Sequence, residues 1–301
     1  DEVDIAQVYG SGTSLTAQTM LDAIRTIGSA DCTVVLQPGA WTVASTVSFP
    51  ANIRVRIPHG AVVTVSAGIT LTILNIEAGN YQIFGSTGTI VLRGDIQVDW
   101  WGESPSTFQP AATALSTYGG IIHCTGSSTY TLTSQTALDT STAPIFIDGH
   151  GAKLDLSGLN DTAFYWNESA AAVIRWGSIN MKVGLSNFRV LGDSTFTNTS
   201  TRIAQADRTY YFYMTDIEGL YVHGALLKGE CVGSIIRDVA LYSPPAGAVL
   251  DFQLGGGNFG PNSTIVDHCL IQQRGTGAYD TGAIGVRISS GEVTLTSSYF
   301  E

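Results

Sequence analysis

The chain has 301 residues, of which 44% are apolar and 13% are charged, and its formal net charge is −11. Because only 14 Lys and Arg stand against 25 Asp and Glu, the chain lacks the basic stripe that phosphate binding needs, and no nucleic-acid partner is expected. No apolar run approaches the roughly 18 residues of a membrane-spanning helix, so no membrane insertion is expected. The 34 glycines favour short strands joined by tight turns over a helical bundle.

The cysteines are spread far apart, and no Cys-x-x-Cys or mixed Cys/His ligand spacing occurs. The sequence therefore predicts no zinc site, and we expect neither another metal nor a cofactor. Unpaired cysteines are among the most frequently buried residues, which favours buried free thiols. The four cysteines are Cys32, Cys124, Cys231 and Cys269.

The first predicted element is a short amphipathic helix over residues 14–28, with Ser14 as its N-cap and Gly28 at its end. The segment TVVLQPGAWTV (33–43) then predicts a strand, a Pro-Gly turn and a second strand. From residue 53 to 92, apolar residues alternate with period two between Gly- and Pro-containing breaks, which predicts strands of about five residues, as in the coils of a β-solenoid or in a β-sandwich. The apolar face of the helix consists of Ala17, Met20, Leu21, Ile24 and Ile27.

A helix followed by strand, turn and strand is predicted a second time, from residue 108 onward. Pro110 lies near the first turn of this helix, and Gly119 ends it. The segment GGIIHCTGSSTYTL (119–132) follows the second helix as TVVLQPGAWTV follows the first. The apolar residues of the second helix are Phe108, Ala111, Ala112 and Leu115.

Residues 183–301 contain five copies of one short pattern: an apolar residue, any residue, a small or polar residue, two further positions and another apolar residue. The third residues of the copies are 187, 219, 238, 268 and 297. Self-similarity at such spacings is typical of a solenoid, in which each unit buries its apolar face against its neighbours. The copies begin at Leu185, Ile217, Ile236, Val266 and Leu295.

Two stretches carry a resemblance to known families. YGSGTSLTAQTMLDAIRTIG followed by TVVLQPGAWTV resembles the opening of pectate-lyase-like right-handed parallel β-helix proteins. The stretch from Ala61 through WWGE (100–103) into the second helix resembles the start of bacteriophage tailspike and tail-fibre β-helices. Together these stretches cover most of residues 8–160.

The resemblance implies an all-β fold, a right-handed parallel β-helix with two short amphipathic helices. We expect residues 1–99 to form the N-terminal helix and a first segment of this solenoid, and residues 100–301 to form the main β-helix, continuing beyond the given chain. The resemblance also implies a homotrimer on an extracellular virion tail, with a bacterial surface polysaccharide (capsule or O-antigen) as its partner.

The five copies also predict which side chains face solvent. Because side chains alternate along a strand, the residue between the apolar flanks points outward. The predicted outward column is Ser186, Glu218, Arg237, Asp267 and Thr296. The predicted turn column is Asn187, Gly219, Asp238, His268 and Ser297.

The outward column contains a candidate catalytic trio. With neighbouring strands about 4.8 Å apart, Glu218 and Asp267 are predicted to lie about 10 Å apart with Arg237 between them. Carboxyl groups about 6.5–9.5 Å apart suit inverting glycoside hydrolysis, and bending of the side chains closes the difference. We therefore predict that Glu218 and Asp267 act as acid and base, while Arg237 orients a sugar carboxylate or tunes a pKa.

Simpler interpretations of the same residues stay open. Glu218, Arg237 and Asp267 also fit a solvated ladder of alternating charge across strands. His268 fits either a corner hydrogen bond to Asp238 or a general base. A lyase needs a base near a uronate carboxylate, for which Arg237 or Arg274 would have to serve.

Aromatic residues favour carbohydrate binding, because sugar rings stack their C–H faces on such side chains. Four tyrosines flank the predicted outward column, Tyr213 among them, and Trp166 and Trp176 precede it in the chain. The predicted substrate-binding residues are Tyr210, Tyr211, Tyr221, His268, Asp216 and Arg274.

Three functions follow as hypotheses. The first is a tailspike-like depolymerase that hydrolyses a bacterial surface polysaccharide. The second is a polysaccharide-binding or structural tail component without turnover. The third is a secreted, monomeric polysaccharide lyase.

Overall fold

The computed structural model describes residues 2–4, 15–85, 87–102, 104–140, 142–167, 183–195, 200–229, 231–243, 247–254, 260–273, 283–289 and 291–300. Strands make up 53% of the structure, and two α-helices occur within these ranges. The prediction of a mostly β fold with two short helices is confirmed. Within the same ranges, no helix is long and apolar enough to cross a membrane.

The N-terminal part consists of one helix and a series of short strands. Its elements are β1 (Glu2–Asp4), α1 (Ala17–Ile27), β2 (Cys32–Val35), β3 (Gly39–Val43), β4 (Val47–Phe49), β5 (Ile53–Arg56), β6 (Ala61–Val65), β7 (Thr70–Ile73), β8 (Ile76–Glu77) and β9 (Thr89–Leu92).

The middle part contains the second helix and the first long strand. Its elements are β10 (Ile96–Gln97), a 3₁₀ helix (Val98–Trp101), α2 (Gln109–Leu115), β11 (Gly120–His123), β12 (Thr129–Thr131), β13 (Thr136–Asp139), β14 (Ile145–Asp155) and β15 (Thr162–Asn167).

The last part is built from strands alone in the ranges described. They are β16 (Val183–Leu191), β17 (Arg202–Asp207), β18 (Phe212–Leu220), β19 (His223–Lys228), β20 (Ile235–Ser243), β21 (Gly247–Gln253), β22 (Thr264–Asp267), β23 (Leu270–Gln273), β24 (Ala283–Ile288), β25 (Val293–Thr296) and β26 (Tyr299–Phe300).

The strands stack in sequence order, and every strand pair that the structure describes is parallel. The three N-terminal sheets have the orders β1-β2-β5-β8, β3-β6 and β4-β7-β9. A long sheet follows in the order β10-β11-β14-β16-β18-β20-β22-β25, with β12, β23 and β26 attached beside it. A separate six-stranded sheet has the order β13-β15-β17-β19-β21-β24. The long sheet begins with β10, next to the expected division between residues 99 and 100. The division into two segments stays a prediction.

Both helices lie where the apolar spacing predicts them. The N-cap of α1 is Thr16, whereas the predicted cap Ser14 lies outside the described residues. Gly28 ends α1 with a positive φ of 60°, which glycine adopts without a steric penalty. Gly119 follows α2, and its backbone N–H donates to the Leu115 carbonyl at 2.7 Å.

The core is one continuous cluster of alternating apolar side chains that extends from Ala17 to Ile271. Aromatic rings stack within it: Phe164 lies 5.2 Å from Phe108 and 6.4 Å from Phe188, measured between ring centroids. Trp166 is fully buried, and its indole N–H donates to the Ile145 carbonyl at 3.0 Å. Trp166 is therefore a core residue with no face for a sugar, and truncating such a residue to Ala costs about 3–5 kcal/mol.

The cysteines have no disulfide partners. Cys124, Cys231 and Cys269 are buried, as predicted, whereas Cys32 is half-buried. Burial raises the pKa of the Cys231 thiol to about 12, so this thiol stays protonated at neutral pH.

Candidate functional site

Each of the long strands β16, β18 and β20 bends at a single residue that the strand pairing skips. These residues are Asn187, Asp216 and Asp238, with φ values of 58°, 54° and 55°. Asn and Asp enter this left-handed region more readily than other side-chain-bearing residues, which explains their place at the bend. His268 and Ser297 continue the series with φ values of 50° and 48°.

The prediction for the second copy of the repeat is wrong by three residues. Thr215, and not Glu218, pairs with Ser186 on one side and Arg237 on the other. The bend residue of this copy is accordingly Asp216, and not Gly219. Gly219 takes the place of the closing apolar residue because a Cβ there would lie 2.6 Å from the Leu241 side chain.

A groove of about 600 Å³ runs along the bends of β16, β18 and β20 and along the irregular part of β14 between Asp148 and Ala152. The polar side chains that line it come from His150, from the bend residues and, on β16 and β18, from the second residue after the bend. They are His150, Asn187, Arg189, Asp216, Glu218 and Asp238. Three carboxylates against one guanidinium make the groove acidic.

Asp216 and Asp238 lie side by side on adjacent strands and are both exposed. Among the described residues, neither carboxylate has a side-chain hydrogen bond or an ion pair. Their oxygens therefore keep their full capacity to accept hydrogen bonds from a ligand in the groove.

Glu218 lies beyond the bend, opposite Arg189 on β16 and Ala240 on β20. Its carboxylate is 3.7 Å from the Arg189 guanidinium, and both side chains are 68% exposed. Because Asp267 lies before the bend of its own strand, Glu218 and Asp267 do not share a column. The predicted alignment of these two acids with Arg237 between them is wrong.

Arg237 and Asp267 do lie opposite each other, in the column Ser186, Thr215, Arg237, Asp267 and Thr296. The Asp267 carboxylate accepts a hydrogen bond from the Thr296 hydroxyl at 2.7 Å and lies 3.2 Å from the Arg237 guanidinium and 3.1 Å from His268 Nδ1. The hydrogen bond from Thr296, with the smaller contributions of His268 and Arg237, holds the pKa of Asp267 below its ordinary value of 3.8. Asp267 is thus a charged and fully partnered group.

Of the other predicted binding residues that the structure describes, Asp216 lines the groove, and Tyr210, Tyr211, Tyr221 and His268 are not among its lining residues. Tyr210 and Tyr211 precede β18, and Tyr221 follows it, so the tyrosines sit at the two ends of this strand and the bend lies between them. Tyr221 packs edge-on against Tyr242, with ring centroids 6.0 Å apart. Arg274 and Trp176 lie outside the described residues.

A cluster that the sequence did not predict lies at one end of the groove. His123 on β11 and Asp148 on β14 are paired across the sheet, and His150 follows two residues after Asp148. The three side chains bring one possible ligand atom each within 4.8 Å of one another. Only the pairing of β11 with β14 joins His123 to the other two, and this pairing is not readable from spacing along the chain.

No protein-family model, curated protein or solved structure matches this chain.

Proposed function

We propose that this chain binds an extended polysaccharide along the groove and hydrolyses it there. The observation that carries the proposal is the presence of two unpartnered carboxylates, Asp216 and Asp238, on adjacent strands in an open groove that also contains Glu218. Sugar hydroxyls are hydrogen-bond donors, and carboxylates are acceptors with no competing donor of their own. A groove that runs across parallel strands also offers repeated contacts to a repeating polymer.

Glu218 and Asp238 form the acid/base pair of this proposal. The two residues lie on adjacent strands, two positions out of register. Strands about 4.8 Å apart and a rise of about 3.3 Å per residue separate their Cα atoms by about 8 Å. Inverting hydrolysis needs carboxyl groups about 6.5–9.5 Å apart, a separation that side chains on Cα atoms about 8 Å apart can span, with one carboxyl group protonating the leaving oxygen and the other activating water. Asp238 replaces the predicted Asp267 because Asp267 is engaged by Thr296, His268 and Arg237.

The charge of the groove favours a neutral or amino-sugar polymer. Asp216, Glu218 and Asp238 repel a chain of uronates, and Arg189 is the one guanidinium among the lining residues. Arg237, one of the two predicted lyase bases, pairs with Asp267 and is not among the groove-lining residues, and the other, Arg274, lies outside the described residues. A lyase therefore gains no support from these contacts, whereas binding without turnover stays an outcome of the test.

The proposal includes a closed, right-handed parallel β-helix and a homotrimer on a virion tail. The parallel stacking of successive strands supports such a helix, since crossovers between parallel strands are right-handed in about 98% of cases. The trimer and the virion rest on the sequence resemblance alone. A light-scattering mass of three chains supports the trimer, and a mass of one chain contradicts it.

A panel of neutral and uronate-rich surface polysaccharides tests the function. We expect new reducing ends from a neutral polymer without a rise in the ultraviolet absorbance that marks unsaturated sugars. Binding without new reducing ends would overturn hydrolysis and leave a binding module. Unsaturated ends from a uronate polymer would establish the lyase instead.

A further inference from the structure

We propose that His123, Asp148 and His150 form a binding site for one divalent transition-metal ion of the Zn²⁺ class at the end of the groove. Two imidazoles and one carboxylate are a known ligand set for such ions. The three side chains come from neighbouring strands of the long sheet, so the backbone holds their relative positions. The site does not depend on the proposed hydrolysis.

The distances between the possible ligand atoms match those around a tetrahedral ion. His123 Nδ1 lies 2.9 Å from His150 Nε2. His150 Nε2 lies 3.3 Å from Asp148 Oδ2. The third distance, from His123 Nδ1 to Asp148 Oδ2, is 3.9 Å. Zn²⁺ with bonds of about 2.1 Å holds its tetrahedral ligand atoms about 3.4 Å apart. The three distances lie on either side of this value, so small side-chain rotations suffice to bind the ion.

The Asp148 carboxylate is already oriented for this role. Its Oδ1 atom accepts hydrogen bonds from the Asn187 side-chain amide at 2.9 Å and from the His150 backbone N–H at 3.2 Å. The Ser186 hydroxyl lies 3.4 Å from the same oxygen. These donors fix the carboxylate and leave Oδ2 directed at the two imidazoles.

His123 has an acidic neighbour on its other ring nitrogen. The Asp95 carboxylate lies 3.7 Å from His123 Nε2. Metal-binding histidines commonly direct their second nitrogen at a carboxylate, which orients the ring and raises its basicity. The distance exceeds that of a hydrogen bond, so we assign Asp95 a positioning role that acts on His123 through its charge.

The donor atoms also select the class of ion. Imidazole nitrogens suit Zn²⁺ and its neighbours, whereas Ca²⁺ and Mg²⁺ prefer shells of oxygen atoms. Three protein ligands leave further coordination positions for water or a ligand. Because the half-exposed His150 also lines the groove, these positions lie next to the proposed polysaccharide site.

Isothermal titration calorimetry of the full chain with Zn²⁺, Co²⁺ and Ca²⁺ tests the site. We expect one Zn²⁺ per chain, Co²⁺ bound with a tetrahedral visible spectrum, and Ca²⁺ bound more weakly than either. His150→Asn and His123→Asn are expected to lower the Zn²⁺ affinity more than about 100-fold, and Asp95→Asn about 10- to 100-fold. Asn at position 150 tolerates the positive φ of 50°, so His150→Asn is expected to fold.

His268→Asn is the matched control. His268 has the same φ of 50° and also lies beside an aspartate, Asp267, but it has no second imidazole in contact. Its substitution is expected to leave Zn²⁺ binding unchanged. Three results would overturn the proposal: no saturable Zn²⁺ binding, equal losses in His150→Asn and His268→Asn, or tighter binding of Ca²⁺ than of Zn²⁺.

Discussion

Two rows of charged residues run across the same strands of the long sheet and differ in whether their side chains have partners in the protein. The row before the bend contains Arg237 and Asp267, which form an ion pair. Asp267 also accepts a hydrogen bond from the Thr296 hydroxyl. The row at the bend contains Asp216 and Asp238, which have no such partners among the described residues and line the groove. Arg237 and Asp238 are consecutive residues of β20.

The partners of the two rows determine which acids are available for a ligand. A carboxylate that already accepts hydrogen bonds from the protein must exchange them for those of a ligand, with little net gain. A solvated carboxylate exchanges hydrogen bonds with water instead, and no donor of the protein loses its partner. Exposure points the same way, since the Asp267 side chain is 16% exposed whereas Asp216 and Asp238 are exposed, and the partners of each side chain give the physical reason.

The largest expected effect is on cleavage. Glu218→Gln and Asp238→Asn each remove a proton-transfer group of the proposed pair, and we expect the rate to fall about 10²- to 10⁴-fold. A reducing-end assay on the polymer identified in the panel measures this rate. Asp267→Asn is the control from the other row and should cleave at nearly the normal rate. A loss in Asp267→Asn equal to that in Asp238→Asn would erase the distinction between the rows.

The second effect is on stability and concerns the bend itself. Asp238→Val places a β-branched side chain at a φ of 55°, and we expect a loss of about 1–3 kcal/mol in the free energy of unfolding relative to Asp238→Gly. Urea unfolding measures the difference. Arg237→Val, one residue earlier in extended strand, is the control and should change stability less. Equal losses at both positions would mean that the left-handed bend carries no special conformational cost.

A third effect concerns the pKa of Asp267, which the Thr296 hydroxyl lowers most. Because the folded pKa lies below the unfolded one, the associated stability is present above the unfolded value and is lost as pH falls through the folded value. Thr296→Val should raise the pKa of Asp267 toward 3.8, so less stability is lost on acidification and the loss is complete at a higher pH. A carbon-detected NMR titration of the carboxyl group measures the pKa.

Thr294→Val, two residues earlier on β25, is the control for that titration. It removes a hydroxyl from the same strand without touching the carboxylate. The Asp267 pKa should not move in this variant. An unchanged pKa in Thr296→Val would show that the hydrogen bond is not what lowers it.

The sequence predicts the local elements well because they depend on nearby residues. The apolar spacing of α1 and α2 and the period-two alternation of the short strands are properties of single segments. The bend residues are also readable in four of five copies, since Asn187, Asp238, His268 and Ser297 are polar residues between apolar flanks. These predictions follow from side-chain periodicity alone.

The site was harder to predict because it depends on pairing between strands. In the second copy, Ile217 to Val222 fits the apolar pattern better than Met214 to Gly219, since glycine stands where an apolar residue is expected. The true register is decided by Leu241, whose side chain fills the space above Gly219. The cluster of His123 with His150 likewise depends on the pairing of β11 with β14. Neither contact has a signal in spacing along the chain.

A still smaller effect is expected from the Arg189–Glu218 ion pair, the one ion pair between groove-lining residues in the described part of the chain. At 3.7 Å, with both side chains 68% exposed, the pair is expected to contribute about 0.2–1 kcal/mol, and less at high salt. A double-mutant cycle of Arg189→Gln and Glu218→Gln, followed by urea unfolding at low and high salt, measures this coupling. A weak coupling leaves Glu218 free to exchange Arg189 for a sugar or a water molecule, as hydrolysis requires. A coupling well above 1 kcal/mol that persists at high salt would place Glu218 with Asp267, as a partnered acid unsuited to the reaction.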